Sequence, residues 1–176
     1  MLPFYSVQFS TTEINYTFYR IPTEKIFLSW AAATPTEFRF SMKAPKQITH
    51  IQKLVGSSDV LERFWNAARV LGDKLSPVLF QLPPFLKKDL PRLEDFLASL
   101  PKGIKAAFEF RHASWFDEEV FSALKSRNAA LCIADDKELT TQPVITSGFG
   151  SFRLRAQYNK ADLERGPKLF PKSANT

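Results

Sequence analysis

The string Phe108-Glu109-Phe110-Arg111-His112 sets a carboxylate, a guanidinium and an imidazole side by side in the chain. With a side-chain period of two, Glu109 and Arg111 share one face of a strand while Phe108 and Phe110 take the other. If helices cover that strand, the charged pair faces an enclosed space, where it serves either as a structural ion pair or as a binding group. Glu13 and Asp135 are further carboxylates expected near the same rim. Any of the three becomes a general base if its surroundings raise its pKa toward neutrality, and each has a structural alternative in pairing with Lys43 or Arg111. His50 and His112 follow strand ends, where an imidazole can transfer protons, although in loops of this kind it more often only hydrogen-bonds. A Glu109 or Glu13 base working with a His112 or His50 acid would make a hydrolase or an isomerase.

The stronger collective signal is cationic. Arg20, Lys43, Arg111, Arg153 and Arg155 are expected to converge on one rim, which suits recognition of phosphate or carboxylate. Tyr19 and Trp115 can stack a base or sugar beside them, or pack as core and lid. Asn15, Gln81 and His50 supply polar contacts at neighbouring strand ends. Metal chemistry has little support, because the chain holds only two histidines, and no cofactor is expected. Ser114 reads as a cap for the helix that starts at Asp117, since no nucleophile elbow surrounds it. Cys132 lies in the apolar run 129–134 and reads as a small core residue.

These groups need a scaffold. Alternation predicts strands over 10–15, 38–43 and 105–111, and an almost wholly apolar run predicts another over 78–82, as a parallel sheet covered on both faces requires. Two more are expected over 131–135 and 150–155. Helical periodicity appears from Pro22 to about Ala32 and over 58–71, 90–100 and 117–127, with Gly72 as a stop and Asp117, Glu118 and Glu119 favourable at a helix start. Residues 1–9 read as the end of a helix, 16–21 and 44–50 as loops, and 160–164 as the opening of a helical pattern. Strands alternating with helices at short intervals argue a parallel α/β fold. Six strands end in polar groups (Asn15, Lys43, Gln81, Arg111, Asp135, Arg155), which favours a barrel that gathers chemistry at its carboxyl-end rim. A doubly wound sheet would more often carry a glycine-rich phosphate turn, and none is present.

Composition sets bounds. The 176 residues suffice for one domain with a substantial core. Lys and Arg number 24 against 18 Asp and Glu, a net +6 with a sequence pI near 9.5, so a polyanion is favoured over a cationic partner. No run of five like charges defines a nucleic-acid groove, and solubility also explains the excess. A single cysteine excludes an internal disulfide and fits a reducing compartment. With no signal-like start and no stretch of membrane-spanning length, a cytoplasmic location is expected.

Several strings together resemble the YecE-like proteins, the family called domain of unknown function 72. They are Thr12-Glu13-Ile14-Asn15 with Phe18-Tyr19-Arg20, Lys43-Ala44-Pro45 with Ile48-Thr49-His50, Phe80-Gln81-Leu82-Pro83-Pro84, Phe108-Glu109-Phe110-Arg111-His112 with Ser114-Trp115-Phe116, and Cys132-Ile133-Ala134-Asp135. The resemblance reaches from the start to about Arg165. It implies a TIM-barrel-like fold distantly similar to the endonuclease IV and xylose isomerase barrels, and it carries no activity with it. Family members begin with a strand bearing a Gly-Thr-Ser-Gly-Trp-like string and end with a further helix and strand, which are not seen here. A complete barrel takes about 250 residues. The expectation is therefore an incomplete α/β TIM-barrel-like domain over 1–165 with about six of eight strands, a loose tail over 166–176, and open strand edges that promote association.

The leading expectation is an anionic or phosphate-bearing ligand, a small molecule or nucleic acid, at the carboxyl-end rim. Arg20, Lys43, Arg111 and Arg155 would supply charge, and Tyr19 and Trp115 contact area. The alternatives are the Glu/His hydrolase or isomerase described above, and an inactive fragment.

Overall fold

The computed structural model of the protein describes residues 2–135, 139, 141 and 143–154. Arg155, the helical pattern at 160–164 and the tail at 166–176 lie outside the described residues, as does the side chain of Asp135. The chain order is α1 (Leu2–Gln8), β1 (Thr11–Ile14), α2 (Tyr16–Tyr19), α3 (Glu24–Ala32), β2 (Arg39–Lys43), α4 (Ser58–Ala68), β3 (Leu75–Gln81), α5 (Leu90–Ser99), β4 (Ala106–Glu109), α6 (Glu118–Ser126), β5 (Ala130–Asp135) and β6 (Ser151–Leu154). All six strands are parallel and lie in sequential order from β1 to β6. Together they form a curled half-barrel with flanking helices, the incomplete TIM-barrel-like fold expected above.

Strand alternation gives the sheet two faces of different chemistry. Phe40, Met42, Val78, Phe80, Phe108, Phe110 and Leu131 share a continuous core with helix residues such as Phe27, Phe64, Leu93 and Val120. On the other face Leu79, Ala107, Ala130 and Cys132 form a small separate cluster. Ala107, Ala130 and Cys132 are too small to fill the concave side, and charged side chains occupy its carboxyl-end rim. On the helix side the Phe80 ring stacks on Phe108 at 5.3 Å and meets Phe96 edge-on at 5.2 Å.

Helices α4, α5 and α6 are amphipathic, and each buries one stripe on this core. In α4 the stripe is Val60, Leu61, Phe64 and Ala68. Gly72, at φ 54°, then reverses the chain toward β3. Helices α5 and α6 are capped by Asp89, which accepts from Arg92 N–H at 3.1 Å, and Asp117, which accepts from Val120 N–H at 3.0 Å.

Several local expectations need correction. Ser114 does not cap α6; its hydroxyl accepts from the Lys88 backbone N–H at 2.8 Å, and Asp117 takes the capping role. The segments expected as loops carry helical turns: α2 in 16–21, and a π-helical turn over Gln47–Ile51. Asn15 leaves the strand and enters α2 with helical φ and ψ, exposed to solvent, so it does not extend the Glu13 face. Trp115 is fully buried, stacked on Phe110 at 4.7 Å, with its indole N–H donating to Leu86 O at 2.7 Å. It is core, not a stacking surface for a ligand, because the 3₁₀ turn Ala113–Trp115 folds the loop back onto the helix side.

Among the described residues β1 and β6 each pair on one side only. Helix α1 leaves Phe4 and Val7 more than three-quarters exposed, at 78% and 77%. Truncating Phe108 to alanine removes the ring that joins the sheet to α5. The expected loss is about 3–5 kcal/mol, read as a lower urea midpoint with an unchanged slope.

Candidate functional site

The carboxyl-end rim is organised around Glu109, whose side chain is fully buried. It ends β4 opposite Gln81, which ends β3 in register with it. Glu109 Oε1 accepts from Arg111 Nε at 2.7 Å and from Gln81 Nε2 at 3.2 Å. Its Oε2 accepts from Arg153 Nη1 at 2.7 Å. The second terminal nitrogen of Arg153 donates to Glu13 Oε1 at 2.8 Å. One guanidinium on β6 thus clasps carboxylates from β4 and β1, joining the two edge strands across the concave side. Burial works against the charge on Arg153, yet the hydrogen bond and charge of Glu109, with Glu13, outweigh it and hold the guanidinium above its ordinary range.

Lys43 ends β2 beside this cluster, half-buried, with no carboxylate among the described residues at ion-pair distance. Its ammonium lies 4.2 Å from the centroid of the Phe18 ring. The ring is placed there by the preceding residue: the buried Thr17 hydroxyl sits 2.6 Å from Lys43 O and 2.9 Å from Ile14 O, tying the first turn of α2 to the end of β2. Burial lowers the Lys43 pKa, and Arg153 and Arg111 lower it further against the opposing pull of Glu109 and Glu13.

His50 shares the same ring. Its imidazole meets Phe18 edge-on at 5.0 Å, and its Nδ1 is 2.9 Å from the Thr49 hydroxyl. It sits in the π-helical turn, where Gln52 N–H reaches Gln47 O at 2.8 Å, a geometry that recurs at functional sites. The turn ends with Leu54 N–H donating to Ile48 O at 2.9 Å. Lys53 and Leu54 in that closure have positive φ, 50° and 75°, which marks local backbone strain just after the turn. Burial lowers the His50 pKa, followed by Lys43, Lys46 and Arg111.

Tyr19 is 78% exposed and meets Phe18 edge-on at 5.1 Å, at the open side of this group. Arg20, also exposed, closes α2 through its backbone N–H. His112 is engaged elsewhere in the same loop system: its Nδ1 accepts from Ser114 N–H at 3.1 Å and lies 2.8 Å from the Ser114 hydroxyl. Asp135 ends β5 in register with Leu154. Glu13, Lys43, Gln81, Glu109 and Arg111 thus gather with Arg153 at one mouth, and His50 joins through Phe18, whereas Trp115 and Asn15 do not.

Phe18 and Thr17 were not expected at the site. The Thr-Phe-Tyr string after β1 was the available signal, but a loop assignment gives it no face.

Below the charged rim, Glu13, Ser41, Leu79, Ala107, Ser151 and Arg153 line a cavity of about 340 Å³. Cys132 is buried nearby, and burial pushes its thiol up to about 12, so it stays protonated at neutral pH. Among the described residues no group of three or more His, Cys, Asp or Glu is placed to hold a metal ion. Among them too, no helix is long and apolar enough to cross a membrane.

Residues 1–170 match the family described as "Protein of unknown function DUF72". The chain belongs to this family. Among curated DUF72 relatives, UPF0759 protein YecE of Escherichia coli (strain K12) is 33% identical over 113 residues, 64% of this chain and 42% of the relative. UPF0759 protein YunF of Bacillus subtilis (strain 168) is 29% identical over 147 residues, 77% of this chain and 52% of the relative. The chain therefore spans about half the length or less of these curated relatives. A DUF72 family protein from Enterococcus faecalis V583 superposes with a TM-score of 0.79 at 20% identity, over 93% of this chain and 77% of that one. Another, from Thermotoga maritima MSB8, gives 0.76 at 25% identity, over 92% and 72%. DUF72 membership and these superpositions agree with the half-barrel described above.

Two predictions follow from the rim. Glu109→Gln keeps the shape but removes the anion shared by Arg111 and Arg153, and costs about 3 kcal/mol or more by urea unfolding; an unchanged midpoint would show that the carboxylate charge is not structural. His50, lowered from 6.5 in the folded chain, titrates below that value by NMR, and Lys43→Met moves its midpoint upward. The unfolded chain takes up this proton first. The His50 contribution to stability is therefore complete above pH 6.5 and is lost as pH falls below it toward the folded midpoint.

Proposed function

We propose that the carboxyl-end mouth binds a small anionic, phosphate-bearing ligand. The observation that carries this reading is the position of Lys43, half-buried at the end of β2 with its ammonium 4.2 Å from the centroid of the Phe18 ring and no carboxylate among the described residues at ion-pair distance, while Arg153 and Arg111 crowd it. An anion seated there would relieve the mutual repulsion, and relief of repulsion adds to the direct attraction.

The arginines support recognition through rigidity more than through spare charge. Arg153 is held at both ends by Glu109 and Glu13, and Arg111 is anchored through Nε, so neither must be ordered when a ligand arrives. Exposed Lys46 adds charge near His50, Arg20 is exposed next to Tyr19, and exposed Tyr19 offers a ring face for a base or sugar. Glu109 already accepts from Arg111, Gln81 and Arg153, so it reads as an anchor for cations and not as a free base. The lone thiol of Cys132 accords with a reducing compartment such as the cytoplasm.

Calorimetry with inorganic pyrophosphate and with a short single-stranded oligonucleotide tests the reading. Pyrophosphate binds at low salt and weakens as salt rises, and Lys43→Met weakens it about tenfold, the loss expected for one charge-assisted hydrogen bond. Binding of the oligonucleotide with a much steeper salt slope would shift the assignment to nucleic acid. No binding of either at low salt would remove the proposal.

A further inference from the structure

Lys43 differs from the other described lysines in its place among Glu13, Glu109, Arg111 and Arg153 at the carboxyl-end mouth. Its amine stands at the end of a barrel strand, half-buried, lying on the Phe18 ring, with no carboxylate among the described residues at ion-pair distance. Lys88, by contrast, is paired with Asp117 and Glu119, Lys74 donates to Ala31 O and Thr34 O, and Lys25, Lys46, Lys87, Lys102, Lys105 and Lys125 are exposed, while Lys53 lies over the exposed Phe85 ring at 5.2 Å. Beside Lys43, against the same ring, sits His50, and Lys43 is the charge that weighs most on that imidazole. Thr49 engages His50 Nδ1, and among the described residues nothing engages Nε2. An amine whose charged form is disfavoured by its surroundings, next to an imidazole, is the pairing that carbonyl condensation uses.

We propose that Lys43 captures the carbonyl carbon of a small anionic aldehyde or ketone as an imine, with His50 exchanging the protons and the surrounding cations holding the anionic end. The proposal rests on the anion-binding reading of the same mouth and names the ligand's reactive group. The neutral Lys43 Nζ lone pair attacks the carbonyl carbon and forms the C–N bond, while the C=O π pair moves to oxygen, which takes up a proton from solvent. Nitrogen gives up its proton to the neutral His50 imidazole, and His50 returns that proton to the carbinolamine hydroxyl, which leaves as one molecule of water as the C–O bond breaks. The nitrogen lone pair then closes the C=N bond. Nothing is oxidised or reduced. Burial and the nearby Arg153 and Arg111 favour the neutral amine against the opposing pull of Glu109 and Glu13. Lys46 and Arg20, both exposed, keep charge available for the anionic group.

The test uses the full chain with pyridoxal 5′-phosphate, which carries an aldehyde and a phosphate, followed by borohydride reduction and peptide mapping. At substoichiometric reagent the stable adduct falls mainly on the peptide bearing Lys43. Pyrophosphate in excess protects that peptide, Lys43→Arg loses the label there, and His50→Gln slows its appearance. Label spread over Lys53 and the exposed lysines with no preference for Lys43 overturns the proposal, and an unchanged rate in His50→Gln overturns the part given to the imidazole. If Lys43→Arg does not fold, protection of the unmodified chain by pyrophosphate decides. The two readings fail separately. Pyrophosphate binding without Lys43 labelling removes the imine and leaves the anion site, whereas equal labelling by pyridoxal lacking the phosphate keeps the amine and removes the phosphate preference.

Discussion

A carboxylate buried in the concave side of a sheet is the constraint on which the carboxyl-end rim depends. Without partners, an ionised Glu109 in that position would carry a desolvation penalty of several kcal/mol. Its oxygens are satisfied from three strand ends: Gln81 after β3, Arg111 just beyond β4, and Arg153 on β6. Arg153 passes the constraint on to Glu13 of β1. The curl of the sheet and the chemistry of the rim are therefore coupled, because flattening the sheet would part Arg153 from one of its two carboxylates. An aliphatic residue at position 109 could pack as well, but it would take from Arg111 and Arg153 the carboxylate they share.

The two faces of the sheet divide labour. On the helix side, stacked Phe80, Phe108 and Phe110 provide apolar burial, with Trp115 extending the stack. On the concave side, Ala107, Ala130 and Cys132 are too small to fill the centre, and charged or polar groups ring the carboxyl end. Stability on one face lets polar groups persist on the other. A sheet with large aliphatic residues on both faces would close its own cavity.

Much of this was legible because strand period is a strong code. Glu109 and Arg111 could be assigned to one face and Phe108 and Phe110 to the other from position alone, and the polar strand ends pointed to one rim. Loops carry no such code. Trp115 looked like a ligand platform because nothing in Ser114-Trp115-Phe116 reveals a 3₁₀ turn that swings the indole onto Phe110. Asn15 was continued along a strand that had already turned into α2. Arg153 and Arg155 share a strand face by alternation, so sequence could not say which reaches Glu109. The pairing of Lys43 with Phe18 and His50 was hidden for another reason, since it joins a strand end to two turns separate in sequence.

The Phe18 contact also changes what kind of residue Lys43 is. A lysine at a strand end exposed to water would be an ordinary cation, strongly hydrated and mobile on its long stem. Here one side of the amine is covered by an aromatic face, the backbone below it is held by Thr17, and guanidiniums occupy the neighbouring space. Hydration is reduced while positive neighbours accumulate, and both effects disfavour its charged form. The aromatic ring partly compensates by attracting the ammonium. A disfavoured charge at a partly covered amine is a combination that solvent-exposed lysines do not have. It arises here because Arg111 and Arg153 hold Glu109 and Glu13, which leaves the lysine without a carboxylate at ion-pair distance among the described residues.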